Sequence, residues 1–288
     1  MRIRGLVALL AAIAAFAVGA SSASAVLTAP AGQPPGSNDF GCRPSAAHPR
    51  PVILTHGLSA SGPLNWATLS PRLKARGYCV FAPTYGLNPL IAFLGVPGGI
   101  LPMEQSSREY AAFVDRVRAA TGASKVDIVG HSEGTVMPRW YLEKLGGAAK
   151  VQKFVALTPL WRGTTLLGLD QVRDLGAQFG LAKPVLDLLG VLCGSCSQFL
   201  RGSDYLNALN ADGEAVPGIE HTNIVTKYDE LVSPYTSGIM RDGGTNVVLQ
   251  DVCPNDFSEH GLVAFDPVVA TMVENALDPE HAQPVRCG

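Results

Sequence analysis

The chain has 288 residues, of which 47% are hydrophobic and 16% charged, and 22 basic against 24 acidic residues leave a formal charge of −2. That balance provides no cationic footprint for nucleic acid and points instead to a small apolar partner. The length suits one sizeable α/β domain better than two.

Met1-Arg2-Ile3-Arg4, an apolar run from Leu6 to Ala20 and the small-residue site Ala23-Ser24-Ala25 read as a signal peptide over 1–25. The apolar run is shorter than the roughly 18 residues that cross a bilayer, so the expected processed chain is secreted, with no transmembrane anchor. A lead segment over 26–50, rich in Pro, Gly and Ser between Thr28 and Asn38, precedes a single domain over 51–288 that carries an apolar, helix-prone insertion at about 160–202. Six cysteines (42, 79, 193, 196, 253 and 287) in an exported chain favour three disulfides. Proximity selects Cys42 with Cys79, Cys193 with Cys196, and Cys253 with Cys287. The spacing of Cys193 and Cys196 also fits a redox motif or half a zinc site, but a second ligand pair and a thioredoxin-like context are missing.

Pro51–Thr55 is a short apolar strand that ends in His56-Gly57, with a loop from Leu58 to Asn65 after it. Trp66, Leu69 and Leu73 recur at helical spacing over 66–76, and 78–82 reads as a strand. Residues 86–103 are apolar but broken by proline and glycine. An amphipathic helix over 106–121 presents Tyr110, Phe113, Val114 and Val117 on one side, and a strand over 125–129 runs into a helix over 136–145. Further strands are expected at 151–157, 218–226 and 246–251, with a closing helix over 266–277. The alternation predicts an α/β fold with a mostly parallel sheet flanked by helices.

The chemistry concentrates at Gly130-His131-Ser132-Glu133-Gly134. A G-x-S-x-G pattern alone is weak. Placed between an apolar strand and a helix it becomes a nucleophile elbow, where the glycines allow a tight turn that presents Ser132 Oγ at a helix N-terminus. A serine hydroxyl needs a base to take its proton and a carboxylate to hold that base, in the chain order Ser, acid, His. His221, His260 and His281 follow Ser132; His260 is preferred because Gly261-Leu262-Val263 places it in a loop before the closing helix. Asp229, directly after the strand Ile224–Thr226, is the preferred acid, with Glu230 and Asp256 as alternatives. The oxyanion hole is assigned to the backbone N–H groups of Glu133 and Leu58, with Ser59 as the alternative to Leu58.

The segments Pro51–Gly57, Asn65-Trp66, Gly77-Tyr78-Cys79, Lys125–Ser132 and Tyr228–Val232 together resemble the secreted class 2 bacterial lipases, and more distantly the yeast lipase B type, of the α/β-hydrolase superfamily. The resemblance implies an α/β-hydrolase fold and carboxylester hydrolysis through an acyl-enzyme, with Ser132, Asp229 and His260 as catalytic residues and no metal or organic cofactor. It also implies the Cys42–Cys79 pair. The expected partner is an acyl ester or lipid, met at a lipid–water interface by a monomer. The same site would serve a polyester or cutin hydrolase, a phospholipase or an acyltransferase, and a silent binding protein on this fold or a redox protein built on Cys193 and Cys196 are the readings from other classes. Glu133 stands where these lipases more often carry Met or Gln, and Thr135 replaces a frequent second glycine. Residues 160–200, with 86–103, could form an apolar wall or lid over an acyl chain or simply pack on the core.

Overall fold

A computed structural model describes residues 32–89, 97–165 and 190–287. The expected signal peptide, most of the insertion and the middle of the 86–103 segment lie outside the described residues. In chain order the elements are β1 (Val52–Thr55), α1 (Gly62–Asn65), α2 (Leu69–Ala75), β2 (Val80–Phe81), α3 (Met103–Thr121), β3 (Val126–His131) and α4 (Glu133–Lys144). They are followed by β4 (Val151–Leu157), α5 (Asp204–Leu209), β5 (Glu220–Val225), β6 (Thr245–Val248), α6 (Leu249–Val252) and α7 (Pro267–Leu277).

The strands form one sheet in the order β2-β1-β3-β4-β5-β6, with every neighbouring pair parallel. Helices cover both faces, which is why Val52–Leu54, Ile128-Val129 and Phe154–Leu157 read as apolar runs. On one side Ile53, Ile128, Phe154 and Ala156 pack with Tyr110, Val114 and Val117 of α3 and with Val136 and Met137 of α4. On the other, Val52, Leu54, Val129, Val155 and Leu157 meet Leu69 and Leu73 of α2 and Val269, Met272 and Val273 of α7. The chain leaves β1 toward β2 and then returns to β3 on the other side, so the connections diverge between β1 and β3. Ligands of open α/β sheets bind at the carboxyl ends of strands beside such a divergence.

Capping explains several boundaries. Asp266 accepts from the N–H groups of Val268 and Val269 and starts α7 one residue ahead of Pro267. Gly122, at φ +74, ends α3 in the left-handed region. Three expectations need correction. The loop expected from Leu58 to Asn65 closes in the one-turn helix α1, which Ser61 caps by accepting from Leu64 N. The strand anticipated over 246–251 stops at Val248 and becomes the one-turn helix α6, which turns Gln250 inward to bond Lys227, Thr226 and Asp256. The expected strand 78–82 is only two residues long, because Asn38 reaches the sheet edge and pairs with the backbone of Val80 and Ala82. The residues of 160–200 that are described pack on the core through Leu160, Trp161, Phe199 and Leu200.

The three cysteine pairs expected from proximity are all bonded: Cys42–Cys79, Cys193–Cys196 and Cys253–Cys287, with Cα separations of 5.8, 5.4 and 5.4 Å. Beneath α4, Arg139 is fully buried and donates to Glu143, Asn210 and the carbonyls of Leu209 and Gly213. Truncation would leave these acceptors and the Glu143 charge without their partner. Arg139→Ala is therefore expected to cost about 3 kcal/mol, read as a lower denaturant midpoint with an unchanged slope.

Candidate active site

A single residue, Ser132, separates β3 from α4, and its backbone adopts φ 55°, ψ −123°. A non-glycine residue in this region stores on the order of 1–3 kcal/mol and persists only where its neighbours hold it. Here the Ser132 N–H donates to Leu157 O at 3.0 Å, and its carbonyl accepts from Thr135 N and Oγ1 at 2.9 and 2.7 Å. The flanking glycines are demanded by close approach. A Cβ at position 130 would lie 2.1 Å from Gly134 O, and one at 134 would lie 2.2 Å from Thr55 O. Ser132 is thus held at the carboxyl edge of β3 against the end of β1, where Gly57 leaves only 3.1 Å between its virtual Cβ and Ser132 Cβ.

Asp229 and His260 come together across 31 residues. The ring Nδ1 of His260 lies 2.9 and 3.0 Å from the two carboxylate oxygens of Asp229, and both side chains are almost wholly buried. The N–H groups of Leu231 and Val232 donate to Asp229 Oδ1 and fix its orientation. A carboxylate at Nδ1 sets the tautomer with the proton on that nitrogen, leaving Nε2 free to accept one. His260 is anchored through its backbone as well: its carbonyl accepts from His131 Nε2 at 2.9 Å, and its N–H donates to Glu230 Oε2 at 3.3 Å. Because His131 adjoins Ser132, these contacts bring the imidazole to the turn at Ser132. Among the described residues no hydrogen bond joins Ser132 Oγ to His260 Nε2, a bond that in free enzymes is commonly long and tightens with substrate.

The alternative residues lie elsewhere. His221 is buried within β5 and accepts from Val216 N, while His281 is exposed beside Asp278. Asp256 accepts from Ser258 N, and Glu230 faces the backbone of His260 rather than its ring. Leu58 follows Gly57 at the end of β1, and Glu133 occupies the first turn of α4; no described acceptor takes either N–H. Helix N-termini carry such free amides together with a positive dipole end, suited to a developing oxyanion.

Several side chains around these residues were given no side-chain role by the sequence. Asn65 Oδ1 accepts from Gly57 N at 3.1 Å and touches His131 Nδ1, tying the loop after β1 to the end of β3. Gln250 donates to both Thr226 Oγ1 and Asp256 O, and so links the loop of Asp229 to the loop of His260. His56 donates from Nδ1 to Gly57 O and accepts from Tyr85 N at Nε2. Burial pushes its pKa down to about 4, so it is a neutral structural bridge. The only sequence signal for Asn65 was its position beside Trp66; the others depend on tertiary proximity.

A family model described as lipase (class 2) matches residues 49–272. The chain belongs to the class 2 lipases. Lipase B of Pseudozyma antarctica is 26% identical over 224 residues, covering 74% of this chain and 56% of that protein. Among solved structures, Aspergillus fumigatus lipase B superposes with a TM-score of 0.65 at 18% identity, covering 88% of this class 2 lipase and 56% of its relative. The mature form of Bacillus licheniformis lipase BlEst2 gives 0.50 at 15% identity, covering 72% and 85%. This class 2 lipase therefore shares its fold with both, and it spans little more than half the length of the lipase B relatives.

Proposed function

We propose that this protein is a secreted serine carboxylester hydrolase, a triacylglycerol lipase or esterase that works through an acyl-enzyme on Ser132. The observation that carries the reading is the buried Asp229–His260 pair, bonded at 2.9 Å and anchored through His131 to the strained serine between Gly130 and Gly134. Ser132 Oγ attacks the ester carbonyl while His260 Nε2 takes its proton; Asp229 holds the imidazolium, and the amides of Leu58 and Glu133 bind the oxyanion. The proton then passes to the departing alcohol. Water repeats the sequence on the acyl-enzyme and releases the acid.

Exposed Tyr228, Phe257, Leu262 and Phe265 lie on the loops that carry Asp229 and His260, which supports an apolar acyl substrate over a charged one. The amino-terminal sequence and the three disulfides support export. Among the described residues no helix is long and apolar enough to cross a membrane.

Hydrolysis of p-nitrophenyl esters from acetyl to palmitoyl tests the reading. Asp229→Asn, which leaves the geometry in place but no longer fixes the tautomer, is expected to lower kcat by about 10⁴-fold. Preference for long chains would assign a lipase and preference for short ones an esterase. A folded wild type that turns over none of these esters would overturn the proposal.

A further inference from the structure

Glu133 was singled out in the sequence for its backbone N–H, yet its side chain is the more unusual feature. It is 1% exposed, its Oε2 has no hydrogen-bond partner, and no described cation pairs with it. The hydroxyls of Ser195 and Tyr85 lie against the carboxyl. Each hydroxyl has one proton. That of Tyr85 is placed on the carbonyl of His56, at 2.8 Å against 3.4 Å to Glu133 Oε1. That of Ser195 is placed on the carbonyl of Gly99 at 2.7 Å. A carbonyl can only accept, so the shorter bond holds each proton, and a carboxylate at Glu133 would keep only the long 3.4 Å contact from the Tyr85 hydroxyl and a share of the Ser195 proton. A carboxylic acid supplies a proton of its own, which the oxygen of either hydroxyl can accept.

We propose that Glu133 works as a neutral carboxylic acid, a positioning residue that donates its single proton to one of these two hydroxyls, and that its ionisation disables the adjoining oxyanion hole. The proposal rests on the ester-hydrolase reading for its catalytic consequence. Two routes connect the carboxyl to the site. Gly99 sits on the oxyanion loop, its virtual Cβ 3.1 Å from Leu58 Cα and 3.2 Å from Glu133 Oε1, and the neighbouring Gly98 N–H donates to Ala60 O at 2.7 Å. A charge on Glu133 would draw the Ser195 and Tyr85 protons away from the carbonyls of Gly99 and His56 and so disturb this contact. It would also lie on the residue whose own N–H receives the oxyanion, opposing negative charge in a water-poor site.

The hydroxyls of Ser195 and Tyr85 favour the charged form, and burial outweighs them. Burial pushes the Glu133 carboxyl up to about 8. Burial likewise raises the phenols of Tyr85, Tyr110 and Tyr205, which stay uncharged, and lowers His56 and His131 to about 4 and about 3. Arg139, farther along α4, is taken by Glu143 and three other acceptors, and Glu104 of α3 accepts from Gln198. His260 is committed to Asp229.

Two measurements on wild type and Glu133→Gln test the proposal. The first is the pH profile of kcat/KM on a soluble butyrate ester, followed by titration of released acid, each protein normalised to its own maximum. Wild type is expected to fall about tenfold per pH unit above about 8, and the variant to lack that limb. The second is Tm against pH, which needs no catalysis. The folded carboxyl keeps a proton that the unfolded one has lost between 4.5 and about 8, so wild-type stability falls as pH rises through that window. A glutamine does not titrate, so the Tm of the variant relative to wild type should climb between pH 5 and pH 8. The same alkaline limb in both proteins, or a Tm difference that does not change with pH, overturns the proposal. Absence of ester turnover by wild type would sink the hydrolase reading, while the Tm series would still decide whether Glu133 carries its proton.

Discussion

Ser132→Ala is expected to lower kcat on any ester substrate by on the order of 10⁶-fold while the protein stays folded. The fold should tolerate the change because Ser132 Oγ holds nothing together: the turn is fixed by backbone bonds to Leu157 and Thr135 and by the two glycines. Alanine keeps the same unfavourable φ of 55°, so neither strain nor packing changes by more than about 0.5 kcal/mol. Steady-state turnover beside a thermal melt makes the comparison. A variant that melts with wild type yet retains a tenth of its activity would remove Ser132 from the chemistry.

The second large effect is structural. Gly134→Ala should cost at least about 4 kcal/mol, enough to prevent accumulation of folded protein, because the added methyl would sit 2.2 Å from Thr55 O and 2.5 Å from His56 O. Those atoms are backbone at the end of a central strand, and moving them breaks the pairing of β1 with β3. Gly122 is the control. It needs glycine for its φ of +74 alone, with nothing within 4 Å of its virtual Cβ, so Gly122→Ala should cost only about 1 kcal/mol. Denaturant midpoints of the two variants read the difference; equal losses would mean that the packing of α4 on β1 is looser than described.

Most of the fold could be read from local pattern, because β1, β3 and β4 are covered on both faces and α3 and α7 are covered on one. Apolar runs and 3.6-residue spacing report those two situations directly. The misread elements were decided by partners distant in sequence. Val247 and Val248 do form the end of β6, but Gln250 finds three bonding partners on other loops and draws the following residues into a turn of helix. The site divides in the same way. The turn at Ser132 is a property of five consecutive residues and was legible; Asp229 and His260 could be chosen only as candidates, since the bond between them joins two loops. The surroundings of the Glu133 carboxyl combine segments near residues 85, 99 and 195, and no short pattern encodes that meeting.

The described strands are all parallel to their neighbours, and this bears on how the protein reaches its native state. No two neighbours among them can be joined by a hairpin, so each pairing waits for a crossover, and that of β1 with β3 spans α2, β2 and α3. Loop-closure entropy is spent before strand contacts compensate for it, which places refolding in the slow range set by non-local contacts. During that interval the apolar strands Val52–Thr55 and Val126–His131 present open edges, and self-association competes with folding at high protein concentration.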